Sequence, residues 1–185
     1  MIAGSRGRTS SILLACLLAG VVLYFDCEGI LTLFVQQSNY TGILRMSWDS
    51  YLDNLIAQSK DSGGTAHVDR CCIIGMDGGA KWTTDGHANA FKLEGTEGAD
   101  IAKCFKTKDF GKFMASGVMA EATKYQFLRE EEGKTVYAKK KEQGAITMQA
   151  SKTAIVIGHC PEGGQQGNTN KAVGVIAEYL ESLNM

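Results

Sequence analysis

After Met46 the apolar positions follow two rhythms, and the polar stretches between them mark the joints. Trp48, Tyr51, Leu52, Leu55 and Ile56 recur three and four residues apart, the stripe of a helix capped by Ser47 and running to about residue 58. The polar stretch 59–66 reads as a loop. Residues 67–76 hold the apolar run CCIIG, a short strand in which the adjacent Cys71 and Cys72 point to opposite faces. Asp77-Gly78-Gly79 predicts a hairpin turn that returns through 80–84 with Trp82. Residues 86–98 read as a loop. A helix is expected over 99–106 with Ile101, Ala102 and Phe105 inward, and a helical turn over 110–115. Strand-like segments follow at 118–122, 124–129, 135–141, 145–149 and 154–158, with a polar turn at 130–133. A glycine- and glutamine-rich loop, 161–168, leads to a last helix capped by Asn168 or Thr169, its apolar face formed by Val173, Ile176, Tyr179, Leu180 and Leu183. Helix, strands, a helical middle, a run of strands and a helix predict an α+β domain, an antiparallel sheet with helices packed on its faces.

Residues 1–45 obey neither rhythm. Arg6 and Arg8 precede an apolar run over 12–25, the layout of a signal peptide. The run is short for a membrane span, and Asp26 and Glu28 separate it from the apolar patch at 30–35. Asn39-Tyr40-Thr41 matches a glycosylation acceptor. Two readings stand: a leader that takes the chain into the secretory pathway, or an upstream extension of a unit that starts at Met46. The second is favoured, because the pattern from Met46 on is complete and its unpaired thiols suit a reducing compartment. The chain is thus divided into an N-terminal hydrophobic extension, 1–45, and one domain, 46–185.

Charge and cysteine usage narrow the function classes. Lys and Arg number 19 against 20 Asp and Glu, so a partner bound by bulk positive charge, such as nucleic acid, is not expected. Cys16, Cys27, Cys71, Cys72, Cys104 and Cys160 form no CxxC pair and no zinc spacing with histidine. Cys71 and Cys72 read as small core hydrophobes. Adjacent strand residues face apart, so His159 and Cys160 do not read as a base and thiol pair. Residues 163–167 are glycine-rich but lack the Lys-Ser/Thr of a phosphate-binding loop. No acid, base and nucleophile assemble, so no enzyme, cofactor or metal is expected. Instead Trp48 and Tyr51 at one end of the domain and Tyr179 and Leu180 at the other suggest a docking platform.

These residues also resemble a family. MSWDSYLDN, IIGMDGGAKW, TKYQFLRE, VYAKKKEQGAITM, SKTAIVIGH and AEYLESLNM stand in the order and spacing of profilins, small actin-monomer-binding proteins. The resemblance covers 46–185 and none of 1–45. It implies a central antiparallel sheet with the two terminal helices packed together on one face and further helical segments on the other.

The resemblance also implies two binding surfaces. A groove for polyproline would use Trp48, Tyr51, Trp82, Tyr179, Leu180 and Met185, the last where some members carry a tyrosine. Aromatic planes with N–H and O–H donors suit a ligand of flat rings and free carbonyls. An actin face would use Met114, Ala115, Lys124, Arg129, Lys139, Lys141, Gly167, Asn170 and Lys171. Lys139 and Lys141 share a strand face in this reading and Lys140 points away. Phosphoinositide headgroups would pair with Lys139, Lys140 and Lys141. The expected partners are monomeric actin, proline-rich proteins and phosphoinositide lipids, in a cytoplasmic, cytoskeleton-associated protein that enters the secretory pathway only if 1–45 is a genuine signal. A regulatory module whose main partner is phosphoinositide is the alternative, and a thiol enzyme at Cys160 a third reading.

Overall fold

The computed structural model describes residues 47–185 with their side chains and, ahead of them, the backbone of three short strands. These are β1 (Leu14–Ala15), β2 (Val21–Phe25) and β3 (Leu31–Val35), paired antiparallel in that order as a unit of their own. The leader reading of 1–45 and the Asn39 triplet lie outside the described residues.

The second unit, 47–185, is built on six strands: β4 (Arg70–Gly75), β5 (Val118–Ala120), β6 (Thr123–Glu131), β7 (Thr135–Lys140), β8 (Gly144–Ala150) and β9 (Ala154–Cys160). They form one antiparallel sheet in the order β4-β9-β8-β7-β6-β5. Strand alternation sorts their side chains between two cores. Cys71, Ile73, Val156 and Ala154 serve one, and Cys72, Ile74, Ile155 and Ile157 the other. Every residue of β9 is buried, because a helix packs on one of its faces and the second core covers the other. In β6 only Tyr125 is buried, so one face of the sheet stands open at that end.

The first helix, α1 (Asp49–Gln58), and the last, α4 (Gln166–Ser182), pack against each other on one face; α2 (Glu97–Thr107) and α3 (Gly111–Ser116) cover the other. α4 lies on β9 and β8, and α1 lies beside it on β4. Thr169, Ala172, Val173, Ile176, Ala177 and Leu180 form the buried stripe of α4. Burying a side chain such as Ile176 or Leu180 contributes about 1.5–3 kcal/mol. A helix cap contributes ~1 kcal/mol, and Gln165 makes no side-chain cap bond at the start of α4. Packing, not capping, therefore holds α4 in place. Gly158 permits the close fit: a β-carbon there would lie 2.7 Å from Val173 Cγ2.

The expected elements form, with shifts at their ends that have local causes. The segment returning after the Asp77 turn bonds to β4 through Gly75 N–H to Ala80 O (2.8 Å) and Trp82 N–H to Ile73 O (2.9 Å). It does not continue as a strand, because the Thr83 hydroxyl then takes the place of backbone and accepts Ile73 N–H at 3.2 Å. α2 begins at Glu97, earlier than residue 99, with the Glu97 carboxylate accepting the N–H groups of Glu94, Glu121 and Ala122 at 2.9 Å each. α4 begins at Gln166, ahead of both expected caps; the Thr169 hydroxyl donates instead to His67 O at 2.8 Å and ties the helix to the core. Ser47 stands one residue outside the cap position, where its hydroxyl accepts Asp49 N–H at 3.2 Å. Tyr179 and Leu183 leave the expected apolar face and are about half exposed, at 49% and 47%.

Candidate functional site

Two surfaces bring the singled-out residues together, one on each side of α4. The first lies where α1 meets α4. Trp48 and Tyr51 sit one helical turn apart at the start of α1, so they share a face. Their rings stack at 5.3 Å between centroids with planes 29° apart. Trp82 reaches Trp48 from the return segment, at 4.7 Å and 49°. Tyr179 reaches Tyr51 from α4, at 6.2 Å and 41°. The result is a continuous row, Trp82–Trp48–Tyr51–Tyr179, on the outside of the core that α1 and α4 share. Partial burial, and then the neighbouring Tyr179 phenol, push the Tyr51 hydroxyl above the usual tyrosine range. Every buried side-chain N and O among the described residues has a partner, so polar groups of the row not bonded within the protein face solvent.

Met185 belongs to this surface. Its N–H donates to Leu180 O at 3.0 Å and its carbonyl accepts Lys152 N–H at 2.8 Å, which fixes the chain end beside the rings. Leu180 is a correction. It was expected to line the groove, but its side chain is 0% exposed, because it occupies the stripe of α4 that faces the sheet. It supports the row from beneath.

The second surface is the uncovered half of the same sheet face, over β5, β6 and β7. Directly opposed residues of neighbouring strands share a face, and the register places Lys139 opposite Gln126 and Lys124 opposite Met119. With Met114 and Ala115 of α3, Lys124 and Lys139, Lys140 and Lys141 line one open concavity of about 420 Å³. Met114 is 64% exposed at its rim. β7 ends at Lys140 and Lys141 lies in the following turn, so the expected alternation holds between Lys139 and Lys140 but does not extend to Lys141, and all three lysines border the same concavity.

Toward α4 the same face carries Arg129, Tyr137, Thr147 and Asn170. The Arg129 guanidinium lies 4.9 Å over the Tyr137 ring and bridges to Glu131 at 3.0 Å. Tyr137 donates to the same carboxylate at 2.8 Å. Tyr137 is opposite Thr147 in the register, and Thr147 donates to Asn170 Oδ1 at 2.6 Å. Gly167 and Lys171 stand in the first turns of α4 beside this row, and no atom lies within 4 Å of where a Gly167 side chain would begin. Gln126 was missed from the sequence, although its place two residues after Lys124 on a strand is the signal that puts it on this face.

His159 and Cys160 turn to opposite faces. His159 meets Asp69 Oδ1 at 2.5 Å and Gln143 O at 2.8 Å, while burial pushes the Cys160 thiol above its ordinary range. Burial pushes Cys71 up to about 12 and Cys72 higher still.

The profilin family model matches residues 46–185. A profilin of Suberites domuncula is 81% identical over 140 residues, which is 76% of this chain and 100% of that protein. Among solved structures, Acanthamoeba castellanii profilin II superimposes with a TM-score of 0.62 at 29% identity, covering 75% of this chain and 100% of that one. Mouse profilin IIa, solved in complex with a double repeat from the FH1 domain of mDia1, gives 0.56 at 21% identity, covering 75% of this chain and 99% of that one.

Proposed function

Since this chain belongs to the profilin family of actin-binding regulators, we propose that it holds monomeric actin on the open half of its sheet and a proline-rich segment on its aromatic row, both at once. The separation of the two surfaces by α4 carries this reading, because a ligand on one side leaves the other free. A polyproline helix is formed before it binds and offers flat rings and unpaired carbonyls. Four neighbouring aromatic rings bearing N–H and O–H groups complement both features. The mouse relative with its FH1 repeat supports the assignment.

On the actin side, Met114, Ala115, Lys124, Arg129, Lys139, Lys141, Gly167, Asn170 and Lys171 form the proposed contact. Cationic side chains around an exposed methionine favour an acidic partner with an apolar knob, steering its approach and making the rate sensitive to salt. By preferring one conformer of actin the protein would shift actin's own equilibrium; no chemistry falls to this chain. The place of action is the cytoplasm, where monomeric actin is found.

A second ligand is favoured by one observation. Four lysines, Lys124, Lys139, Lys140 and Lys141, border a single concavity, a set of ammonium donors suited to a phosphoinositide headgroup. That ligand would exclude actin by occupying the same space.

The deciding experiment measures both partners on one sample. Binding of actin and of a proline peptide is expected to be additive, with neither weakening the other. Mutual exclusion would overturn the two-surface reading. Vesicles containing phosphoinositide are expected to displace actin, and Lys140→Glu, a position outside the proposed actin contact, to weaken that displacement.

A further inference from the structure

We propose that Asp49 is the positioning residue of the aromatic row: by accepting two hydrogen bonds from Thr84, its carboxylate fixes Trp48 and Trp82 in the mutual arrangement that a proline-rich ligand needs. The inference rests on the proline-binding reading above and adds a residue that touches no ligand.

The two indoles come from elements that have no strand pairing to hold them together. Trp48 sits at the cap position of α1, and Trp82 on the irregular segment that follows the Asp77 turn. Lys81 makes only an isolated bridge to Ile74, so the backbone ladder alone leaves the indole-bearing segment weakly fixed beyond Trp82. Two threonines complete the attachment in opposite directions. Thr83 is buried and its hydroxyl accepts Ile73 N–H, which pins the segment to β4. Thr84 turns outward and gives both its groups to α1: its N–H donates to Asp49 Oδ1 at 2.8 Å and its hydroxyl to Asp49 Oδ2 at 2.7 Å. Asp49 follows Trp48 in the chain, and Thr84 lies two residues after Trp82. The bidentate contact therefore links the two indoles through a short path of covalent and hydrogen bonds, which their own ring contact, 4.7 Å between centroids, closes.

Gly75 completes the arrangement from below. A β-carbon there would lie 3.0 Å from Trp82 Nε1, so the missing side chain lets the indole lie against β4. The Thr84 bonds hold the Asp49 carboxyl below the usual carboxylate range, as expected for an acceptor whose ionised form is the one being bonded.

The test uses the full chain, a decaproline peptide and monomeric actin. Trp48 and Trp82 are the only tryptophans of the sequence, so tryptophan fluorescence and the near-ultraviolet circular dichroism of the indoles report on this pair alone. Asp49→Ala is expected to weaken decaproline binding about tenfold, the loss when the competent arrangement falls from dominant to about one molecule in ten. It should also abolish the dichroism of the coupled indoles while leaving actin affinity unchanged. Thr84→Val, which keeps the backbone bond, should cost about threefold. Asp49→Asn can accept the Thr84 N–H and donate to its hydroxyl, and Thr84→Ser keeps the hydroxyl; both should restore binding and dichroism.

Wild-type affinity and dichroism in Asp49→Ala would overturn the proposal. So would an Asn variant no better than Ala, which would assign the effect to charge at the helix start. An equal loss of actin binding would also overturn it, as general destabilisation. If Asp49→Ala does not fold, the Thr84→Val and Thr84→Ser pair decides. If the unsubstituted chain ignores decaproline, the proline-binding reading fails, and the dichroism of Asp49→Ala against Asp49→Asn still decides whether the carboxylate sets the indoles.

Discussion

Tyr51 and Tyr179 lie 6.2 Å apart between ring centroids although one stands near the start of the domain and the other near its end. The contact exists because α1 and α4 share one core: Leu52 and Leu55 on α1 and Ile176 and Leu180 on α4 bury together, which leaves the tyrosines on the rim of the same seam. The surface proposed to hold a proline-rich ligand is thus a by-product of how α1 and α4 pack together.

Removing the centre of the row should remove binding without removing the fold. Trp48 touches both Tyr51 and Trp82, and it is only packed against the core rather than buried in it. Trp48→Ala is expected to cost at least about 2 kcal/mol of proline-peptide affinity, the scale of a central aromatic contact. Retention on a polyproline column checks this, with the denaturation midpoint as control.

Charge reversal on the open sheet face should act on the other partner. Lys139→Glu with Lys141→Glu is expected to slow actin association and to flatten its dependence on salt, with decaproline affinity unchanged. Stopped-flow association at two ionic strengths measures it.

The hairpin that carries those lysines depends on Gly144. Its φ is +93°, and a β-carbon would lie 2.1 Å from the Cys160 carbonyl oxygen, a backbone atom that cannot swing aside. Gly144→Ala is expected to destabilise the domain by about 2–4 kcal/mol, strain and overpacking combined. Urea unfolding gives the number.

Acid should weaken the domain partly through Asp69. Burial raises its pKa, but the hydrogen bond from His159 and the charges of His159 and Arg70 outweigh that and hold it below the ordinary 3.8. A depressed carboxyl stabilises the folded state above its unfolded value, and the contribution is lost as pH falls through the lower folded value. Unfolding midpoints measured from about pH 5 down to pH 2 should fall more steeply for the unsubstituted chain than for Asp69→Asn.

Much of this could be read before any coordinates. Alternation alone turned Cys71 and Cys72 to opposite faces, which the structure shows to be two cores, and the five-residue stripe of α1 contained Leu52 and Leu55, the two that are buried. The family's landmarks gave the pairing of the terminal helices. What escaped depends on contacts that periodicity does not carry. Leu180 and Tyr179 are neighbours in sequence, and only the depth of α4 against β9 decides that one is covered and the other open. Lys141 left its strand because the chain turns one residue sooner than the apolar pattern suggests. The Asp49–Thr84 contact joins an unremarkable acid to an unremarkable hydroxyl, and nothing in either local pattern links them.

β9 is bonded to a neighbour along each edge and sheltered above and below. Its amide protons can meet water only when the whole domain opens. In deuterated solvent they should be the last to exchange, while those in the turn at Lys141 go early. Partners can therefore settle and leave at the periphery on their own timescale without disturbing the strand to which everything else is fastened.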